Sequence, residues 1–484
     1  MILGVTAQNH DASMALINDQ DILWAAHSER YSRIKNDRLL NPEMVNDLRR
    51  YGEPSRIIWF EKPILKNLRR LYSGQRPWYV NPKEELKRVG LDHLPLEYVS
   101  HHESHAAAGF YTSSFDTASV LVVDAIGELS SVSIWTANDR GLSKYWEKYY
   151  PNSIGLFYTA FTDYVGLKPN EEEYIFMGMA AYGQPTLVNQ IKDDFFINFS
   201  PPNFKLKHNL HRGCRWWELP SNATKFDIAA SVQVIIEEYL LHTTQWMKAK
   251  LPSNNLVFMG GAALNCVANS LIAKKSGYQK MWIMPNPGDS GSAIGAVAAK
   301  EQKRLNWINP LLGTNIDREL NLDKIINSLL KGEVVAVANG RAEFGPRALG
   351  NRSLLYDPRL RYAKSQMNSI KRREPFRPFA PAILEEHADQ FFEMPVEKSP
   401  YMQYVMPCKT PSFLPGTCHI DGTSRLQTVG NIDNPTFRTI LEMWYHKTGC
   451  PVLLNTSLNT KGEPLINDIT DAISWELANN IRVY

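Results

Sequence analysis

The chain opens on an alternation of apolar runs and polar turns. Ile2 to Ala7 is apolar, Asn9-His10-Asp11-Ala12-Ser13 is polar, and Met14 to Ile17 is apolar again. Asn18-Asp19 is a turn signal, and Ile22 to Ala26 closes the series. Short apolar runs bounded by Asn, Asp and Ser predict strand, turn, strand, turn, strand. The same grammar returns at residue 118. Ala118 to Val123 runs into Asp124-Ala125-Ile126-Gly127-Glu128, and Ser130 to Ala137 follows, then the Asn138-Asp139 turn and another strand-like stretch. Between Phe226 and Lys250, Ile228, Val232, Ile235, Ile236, Tyr239 and Leu240 recur at helical spacing and predict one long helix. Leu256 to Asn265 reads as a strand, the Gly260-Gly261 pair and the start of a helix. Residues 300–330 read as a turn-rich linker, and a strand from Glu333 to Asn339 opens a second region. The boundary is expected near residue 315, giving domains 1–314 and 315–484.

Two copies of strand, acidic turn and hairpin suggest an internal duplication. The actin-like fold uses such a duplication, with two ribonuclease-H-like lobes and a nucleotide between them. The pattern alone is equally that of two unrelated hairpins. The expected class is α/β.

Composition narrows the picture. The 484 residues are 44% hydrophobic and 21% charged, with a net charge of +3, which excludes disorder, collagen and coiled coil as the main class. Five scattered cysteines, with no CxxC pair, make no disulfide framework and fit a reducing compartment. The expected location is the cytoplasm, with no signal peptide before the first strand and no apolar run long enough to span a membrane. The near-neutral charge hides a basic stretch. Residues 49–93 hold eleven Lys or Arg against five acids, interleaved with Tyr51, Trp59, Phe60, Tyr72, Trp78 and Tyr79. A second cluster is Lys205, Lys207, His208, His211, Arg212, Arg215, Trp216 and Trp217. Cations hold phosphates and aromatics stack on bases, so both segments are candidate nucleic-acid or nucleotide surfaces, or else solvated helices with core aromatics.

Three motifs could carry chemistry. In His101-His102-Glu103-Ser104-His105, followed by alanines, the i, i+4 spacing puts His101 and His105 on one helix face at metal-ligand spacing. Asp124 ends a buried-type strand and Asp289 sits in a glycine-rich turn. Two His and two Asp would suit Fe²⁺, Mn²⁺ or Zn²⁺ with an open position. Glycines at Gly260 and Gly261 let the backbone approach a ligand, and helix amides favour an anion. Asn265 and Gly127 join them as expected cofactor-binding positions. The arginine-rich runs Arg341 to Ser353 and Lys371 to Pro381 indicate phosphate or carboxylate recognition, because guanidinium binds both bidentately.

Taken in order, these motifs resemble the ATP-dependent O-carbamoyltransferases that act on nodulation factors, cephamycins and tobramycin. The resemblance runs through Asn9 to Ser13, Glu29 to Lys35, His101 to Ala107, Met177 to Gly183, Gly260 to Asn265, Gly345 to Ser353, Arg373 to Pro381, Asp421 to Gln427 and Pro451 to Asn459. It implies an actin-like N-terminal domain and a YrdC-like C-terminal domain. The latter would make carbamoyl-adenylate from carbamoyl phosphate and ATP, with Mg²⁺. The adenylate would pass inside the protein to the former, where a metal such as Fe²⁺ serves its transfer to an acceptor hydroxyl. Carried over by motif, the metal ligands are His101, His105, Asp124 and Asp289. The acceptor side is His10, Lys35 and Asp227, and the adenylate-forming residues are Arg347, Lys371, Arg377, Arg425 and Ser457. Ala125 stands where the family usually has Gly, and Ile175 where a Lys is common. The acceptor is therefore not inherited. A small natural product or sugar and a hydroxymethylated pyrimidine, free or in DNA, both stay open. So does a tRNA threonylcarbamoyl-type modifying enzyme as a different reading, and so does the oligomeric state.

Overall fold

The computed structural model describes residues 1–74, 80–218 and 223–484. The opening apolar runs form β1 (Ile2–Thr6), β2 (Ser13–Asn18) and β3 (Asp21–His27). Then come α1 (Glu29–Ser32), α2 (Pro42–Arg49), β4 (Arg56–Trp59), α3 (Pro63–Tyr72), α4 (Pro82–Arg88) and β5 (Leu96–Tyr98). β1 pairs antiparallel with β2, setting Leu3 opposite Leu16 and Val5 opposite Met14, and parallel with β4, which pairs parallel with β5. The sheet order is β3-β2-β1-β4-β5.

The order then repeats. α5 (His101–Thr112) leads into β6 (Ala118–Gly127), β7 (Ser130–Asn138) and β8 (Gly141–Tyr149). An excursion follows through α6 (Ile154–Tyr164), α7 (Glu173–Met179), α8 (Val188–Phe195), the hairpin β9 (Phe196–Ser200) and β10 (Asn203–Leu206), and the long α9 (Lys225–Lys250). β11 (Asn255–Met259), α10 (Cys266–Lys275), β12 (Lys280–Trp282) and α11 (Ser292–Glu301) complete the repeat. The second sheet runs β8-β7-β6-β11-β12, again antiparallel between its first two strands in sequence and parallel from β6 to β11 to β12. The two strand–acidic turn–hairpin passages are thus the opening strands of two sheets with one topology, not unrelated hairpins.

Small residues let α5 and α11 approach their neighbours. A Cβ on Gly295 of α11 would lie 1.9 Å from the Ser104 carbonyl oxygen of α5, and one on Gly4 of β1 would lie 1.8 Å from that of Ala293. Both helices carry candidate site residues at or just before their first turns, so this close packing fixes where those residues meet.

The chain divides into two compact units, Met1–Leu23 with Arg38–Trp307 and Trp24–Asp37 with Ile308–Tyr484. The expected linker holds β13 (Leu311–Ile316) and α12 (Leu322–Leu330). Its turn residues masked the spacing of Ile325, Ile326 and Leu329, which bury one face of α12. β14 (Val335–Ala338), β15 (Gly340–Glu343), β16 (Arg352–Tyr356), α13 (Ala363–Lys371), β17 (Ala380–Leu384), α14 (Ala388–Phe391), β18 (Val405–Pro407), β19 (Thr423–Arg425), β20 (Gln427–Val429), α15 (Pro435–Thr448), β21 (Val452–Ser457) and α16 (Ile469–Asn479) follow. The second unit's main sheet runs β14-β16-β21-β17-β20. Side chains alternate across it with the period of two that a strand imposes. Ala336, Leu354, Tyr356 and Leu454 pack with Met367, Ala472 and Trp475 on one face. Val335, Val337, Leu355 and Leu453 pack with Ile326, Leu329, Ile440 and Trp444 on the other.

No helix among the described residues is long and apolar enough to cross a membrane.

Candidate functional site

In the first unit, the duplicated sheets bring four expected side chains together. The ligand atoms of His101, His105, Asp124 and Asp289 all lie within 4.8 Å of one another. His101 and His105 occupy the first turns of α5, and their Nε2 atoms are 3.1 Å apart. Asp124 follows Val123, the last residue of the continuous pairing of β6 with β7, where the register shifts between Val123 and Gly127. Such a bulge re-aims a side chain, and Asp124 Oδ2 comes 3.2 Å from His101 Nε2. Asp289 lies in the turn before α11, its Oδ1 at 3.4 Å from His101 Nε2 and 3.3 Å from His105 Nε2. Both rings are fully buried.

The surroundings are fitted to this cluster. A Cβ on Gly127 would lie 2.2 Å from Cδ2 of His101, so only glycine leaves room for the ring. A Cβ on Gly261 would come 3.2 Å from Asp124 Oδ1. Gly260, at φ +87°, holds a backbone conformation that side chains disfavour, and its N–H donates to the Pro287 carbonyl at 2.9 Å. The opening hairpin joins in, with Asn9 Nδ2 donating to Asp289 and Ser13 Oγ to the Ser290 carbonyl at 2.6 Å. Burial alone would push Asp289 upward, but the charges of His101 and His105 overcome it and hold the carboxyl well below its usual range. Two carboxylates facing two nitrogen donors call for positive charge between them. Two imidazole nitrogens and two carboxylate oxygens are a donor set that suits a divalent transition metal.

His10 keeps 39% of its side chain exposed, with Nδ1 3.5 Å from Asp11 Oδ2. Burial works against its charged form, yet Asp11 and Asp289 outweigh it and lift the imidazole to about 10. Asp227 occupies the third position of α9 in a capping box with Thr224. It accepts from the Gln184 amide at 2.8 Å, the Thr224 amide at 2.9 Å and the Thr224 hydroxyl at 2.7 Å, bonds that hold it below the usual carboxylate range. Asn265 caps α10 through Ala268 at 3.1 Å and exchanges hydrogen bonds with Gln233.

In the second unit, Lys371 ends α13 and is buried. Its Nζ donates to Ser457 O at 2.5 Å, Ser457 Oγ at 3.0 Å and Asn459 O at 2.8 Å, and also to Asn459 Oδ1. Burial, with Arg373, Arg377 and Lys35 nearby, pushes this lysine well below its ordinary value. Lys35 thus belongs to the surroundings of Lys371, within the 24–37 segment of that unit. Arg377 reaches Glu374 at 3.4 Å. Arg425 ends β19 and Arg347 lies in the loop after β15, both half-buried.

A residue missed in the sequence organises that loop. Glu343 Oε1 accepts the amides of Leu349 at 2.7 Å, Asn351 at 3.0 Å and Arg352 at 3.2 Å. Arg352, read as an anion ligand, is instead fully buried and donates to the carbonyls of Thr314, Asn339, Gly340 and Asn467.

The basic segments are largely committed elsewhere. Lys66 and Arg69 are buried, Arg56 pairs with Glu97 and Glu301, and Arg88 pairs with Glu85. Trp59 and Phe60 belong to the core. Arg76, Trp78 and Tyr79 lie outside the described residues. Arg215 pairs with Asp163, and the buried Trp217 donates to Asp194 at 2.9 Å.

A buried imidazole–carboxylate cluster in one α/β unit and a lysine ringed by arginines in another describe an enzyme built in two parts. The particular family follows from comparison with known proteins. Residues 60–298 match the model for the carbamoyltransferase N-terminus and residues 326–484 the model for the carbamoyltransferase C-terminus, and the chain belongs to the carbamoyltransferase family. It is 29% identical to nodulation protein NolNO of Sinorhizobium fredii, over 98% of this chain and 77% of that one. It is 31% identical to nodulation protein NolO of Bradyrhizobium diazoefficiens, over 79% and 77%. To the 3'-hydroxymethylcephem-O-carbamoyltransferase of Amycolatopsis lactamdurans it is 27% identical, over 98% and 96%. Likeness to solved structures is slight, as with nucleotide-bound HypF at 12% identity and a TM-score of 0.37, over 62% of this chain and 46% of that one.

Proposed function

We propose that this carbamoyltransferase is an ATP-dependent O-carbamoyltransferase that works through carbamoyl-adenylate. The observation that carries the reading is the meeting of His101, His105, Asp124 and Asp289 in one unit, with Lys371 and its same-sign neighbours in the other. We assign residues 1–314, as an actin-like domain, to transfer, and residues 315–484, as a YrdC-like domain, to adenylate formation. The repeated sheet order supports the first assignment.

In the first stage carbamoyl phosphate is hydrolysed to carbamate and phosphate. A carbamate oxygen then attacks the α-phosphorus of ATP, brought with Mg²⁺, and pyrophosphate leaves. Lys371, Arg347, Arg377 and Arg425 neutralise the charge that gathers on the phosphates, and Ser457 shares the Lys371 ammonium with Asn459. In the second stage the acceptor hydroxyl attacks the carbamoyl carbon, the bond to the AMP oxygen breaks, and AMP leaves. His101, His105, Asp124 and Asp289 would hold a divalent metal, Fe²⁺ being the first candidate, which would supply Lewis-acid stabilisation of carbonyl and leaving group. Asp227 keeps lone pairs beyond the three bonds it accepts and is assigned to receive the hydroxyl proton. His10, whose imidazole Asp11 holds at Nδ1, is assigned as a donor to the acceptor molecule or the adenylate. Lys35, expected on the acceptor side, is assigned instead to the cations around Lys371.

The acceptor hydroxyl belongs to a small natural product or sugar, or to a hydroxymethylated pyrimidine in a nucleotide or DNA. The ion pairs and buried cations of the basic segments favour the former. The deciding assay follows AMP and pyrophosphate release from ATP, with carbamoyl phosphate in one arm and threonine plus bicarbonate in the other. Release that depends on carbamoyl phosphate is expected. Release that depends only on the second pair would replace this reading with a threonylcarbamoyl-type one.

A further inference from the structure

Helix α3 is turned inside out. Its apolar residues face solvent, with Ile64 74%, Leu68 58%, Leu71 67% and Tyr72 82% exposed, while Lys66 is 1% and Arg69 5% exposed. A helix at a protein surface ordinarily does the reverse, so something must retain Lys66 inside. Its partner is Glu61, fully buried at the strand end just before α3, with Nζ 2.6 and 2.9 Å from the two carboxylate oxygens.

A buried ion pair of this kind is weak evidence for stability, because desolvation consumes much of the attraction. The geometry gives it another use. Glu61 Oε2 lies 3.6 Å from Nδ1 of His101, on the side of the ring away from the cluster. An imidazole that offers Nε2 to a metal must carry its proton on Nδ1, and a carboxylate there fixes tautomer and ring orientation. Glu128 steadies the arrangement, since its Oε1 accepts the amides of Lys62 at 2.6 Å and of His101 at 3.3 Å. Neither His101 Nδ1 nor His105 Nδ1 has a hydrogen-bond partner, and Glu61, at ion-pair distance, is the carboxylate placed to take the His101 proton.

We propose that Glu61 and Lys66 are positioning residues for the candidate metal centre. Glu61 would accept the Nδ1 proton of His101 when a metal holds Nε2, and so aim Nε2 at the cluster, and Lys66 fixes the Glu61 carboxylate in place through both of its oxygens. The face of α3 that reads as a surface patch is thereby part of the site's support. This rests on the metal reading of the cluster.

The test is a titration of the full-length protein, freed of metal, with Co²⁺ under anaerobic conditions. The visible Co²⁺ absorption bands and equilibrium dialysis report binding, and thermal melting reports folding. Wild type should bind one Co²⁺, and His105→Ala should abolish it. Glu61→Gln should bind about 10- to 100-fold more weakly. Glu61→Gln/Lys66→Met, which removes both charges at similar volume and protects against an unfolded single variant, should show the same loss as Glu61→Gln. In the Co²⁺ protein, one paramagnetically shifted Nδ1 proton should exchange slowly with water and exchange faster in the double variant. If a folded double variant binds Co²⁺ within about twofold of wild type, with that proton unchanged, the positioning role is overturned while the metal reading stands. If wild type binds no Co²⁺ that His105→Ala removes, the metal reading falls and this proposal with it.

Discussion

Around His101 and His105 two carboxylates lie within 3.9 Å of the ring nitrogens, whereas around Lys371 the cations Arg373, Arg377 and Lys35 outweigh the single acid Glu463. The first group is held by a strand end and helix starts packed on glycine and alanine. The second sits on a helix end and on loops. A cluster of opposite charges is complete in its own side chains apart from one cation. A cluster dominated by like charges is complete only when an anion arrives, because the neutral oxygens of Ser457 and Asn459 satisfy the hydrogen bonds of Lys371 but leave its charge unbalanced. The comparison teaches which region is preformed and which waits for its ligand, and it predicts that changes in the two regions fail differently.

The largest expected effect is in the waiting region. Lys371→Ala should lower pyrophosphate release by about 100- to 1,000-fold and leave Co²⁺ binding at the histidine cluster unchanged. A variant that released pyrophosphate normally would erase the contrast. Next, Asp227→Asn should slow carbamoyl transfer by about 100-fold or more, while the melting temperature shows only the loss of a helix cap, about 1 kcal/mol. A cap-sized stability loss with normal transfer would return Asp227 to a purely structural role. Third, Glu343→Ala should destabilise the second unit by about 1–3 kcal/mol in urea unfolding, since three buried amides lose their acceptor.

The smallest effect sharpens the like-charge half. Free Lys371 is held below the ordinary lysine range by burial and by its cationic neighbours. An anion beside it offsets that repulsion, so the bound state holds more protons than the free state. Carbamoyl phosphate should therefore bind with uptake of a fraction of a proton. Affinity should fall as pH rises from the free lysine's lowered value toward the ordinary one. Calorimetry in two buffers of different ionisation heat reads this directly, and proton release on binding would contradict it.

Parts of both regions are legible in the sequence for physical reasons. The i, i+4 pair His101 and His105, followed by alanines, declares a helix face because helical geometry leaves no other neighbour for those positions. The repeated strand–acidic turn–hairpin survives as a pattern because each copy opens a sheet of the same order. Asp124 and Asp289 read as partners of the histidines only through their turn settings and the resemblance, since the fold alone brings them close. The burial of Lys66 and Arg69 is not legible in the basic 49–93 stretch for a definite reason. Amphipathic spacing shows that a helix has two faces but not which is buried, and Lys66 and Arg69 turn inward against the usual preference. Glu61 had one signal, an acid directly after the apolar run Ile57 to Phe60, where a strand end commonly leads into a site. Arg352 could not be told from Arg347, five positions earlier in the same run. One is spent on backbone carbonyls and the other lies in the loop that Glu343 holds.

The division of labour between the two regions is tested most directly by one variant and two readouts. With ATP, carbamoyl phosphate and an acceptor that wild type carbamoylates, His105→Ala should release pyrophosphate at the wild-type rate in single-turnover assays and form no carbamoylated product. If His105→Ala loses pyrophosphate release as well, or still forms product at the wild-type rate, the two stages do not belong to the two clusters assigned to them.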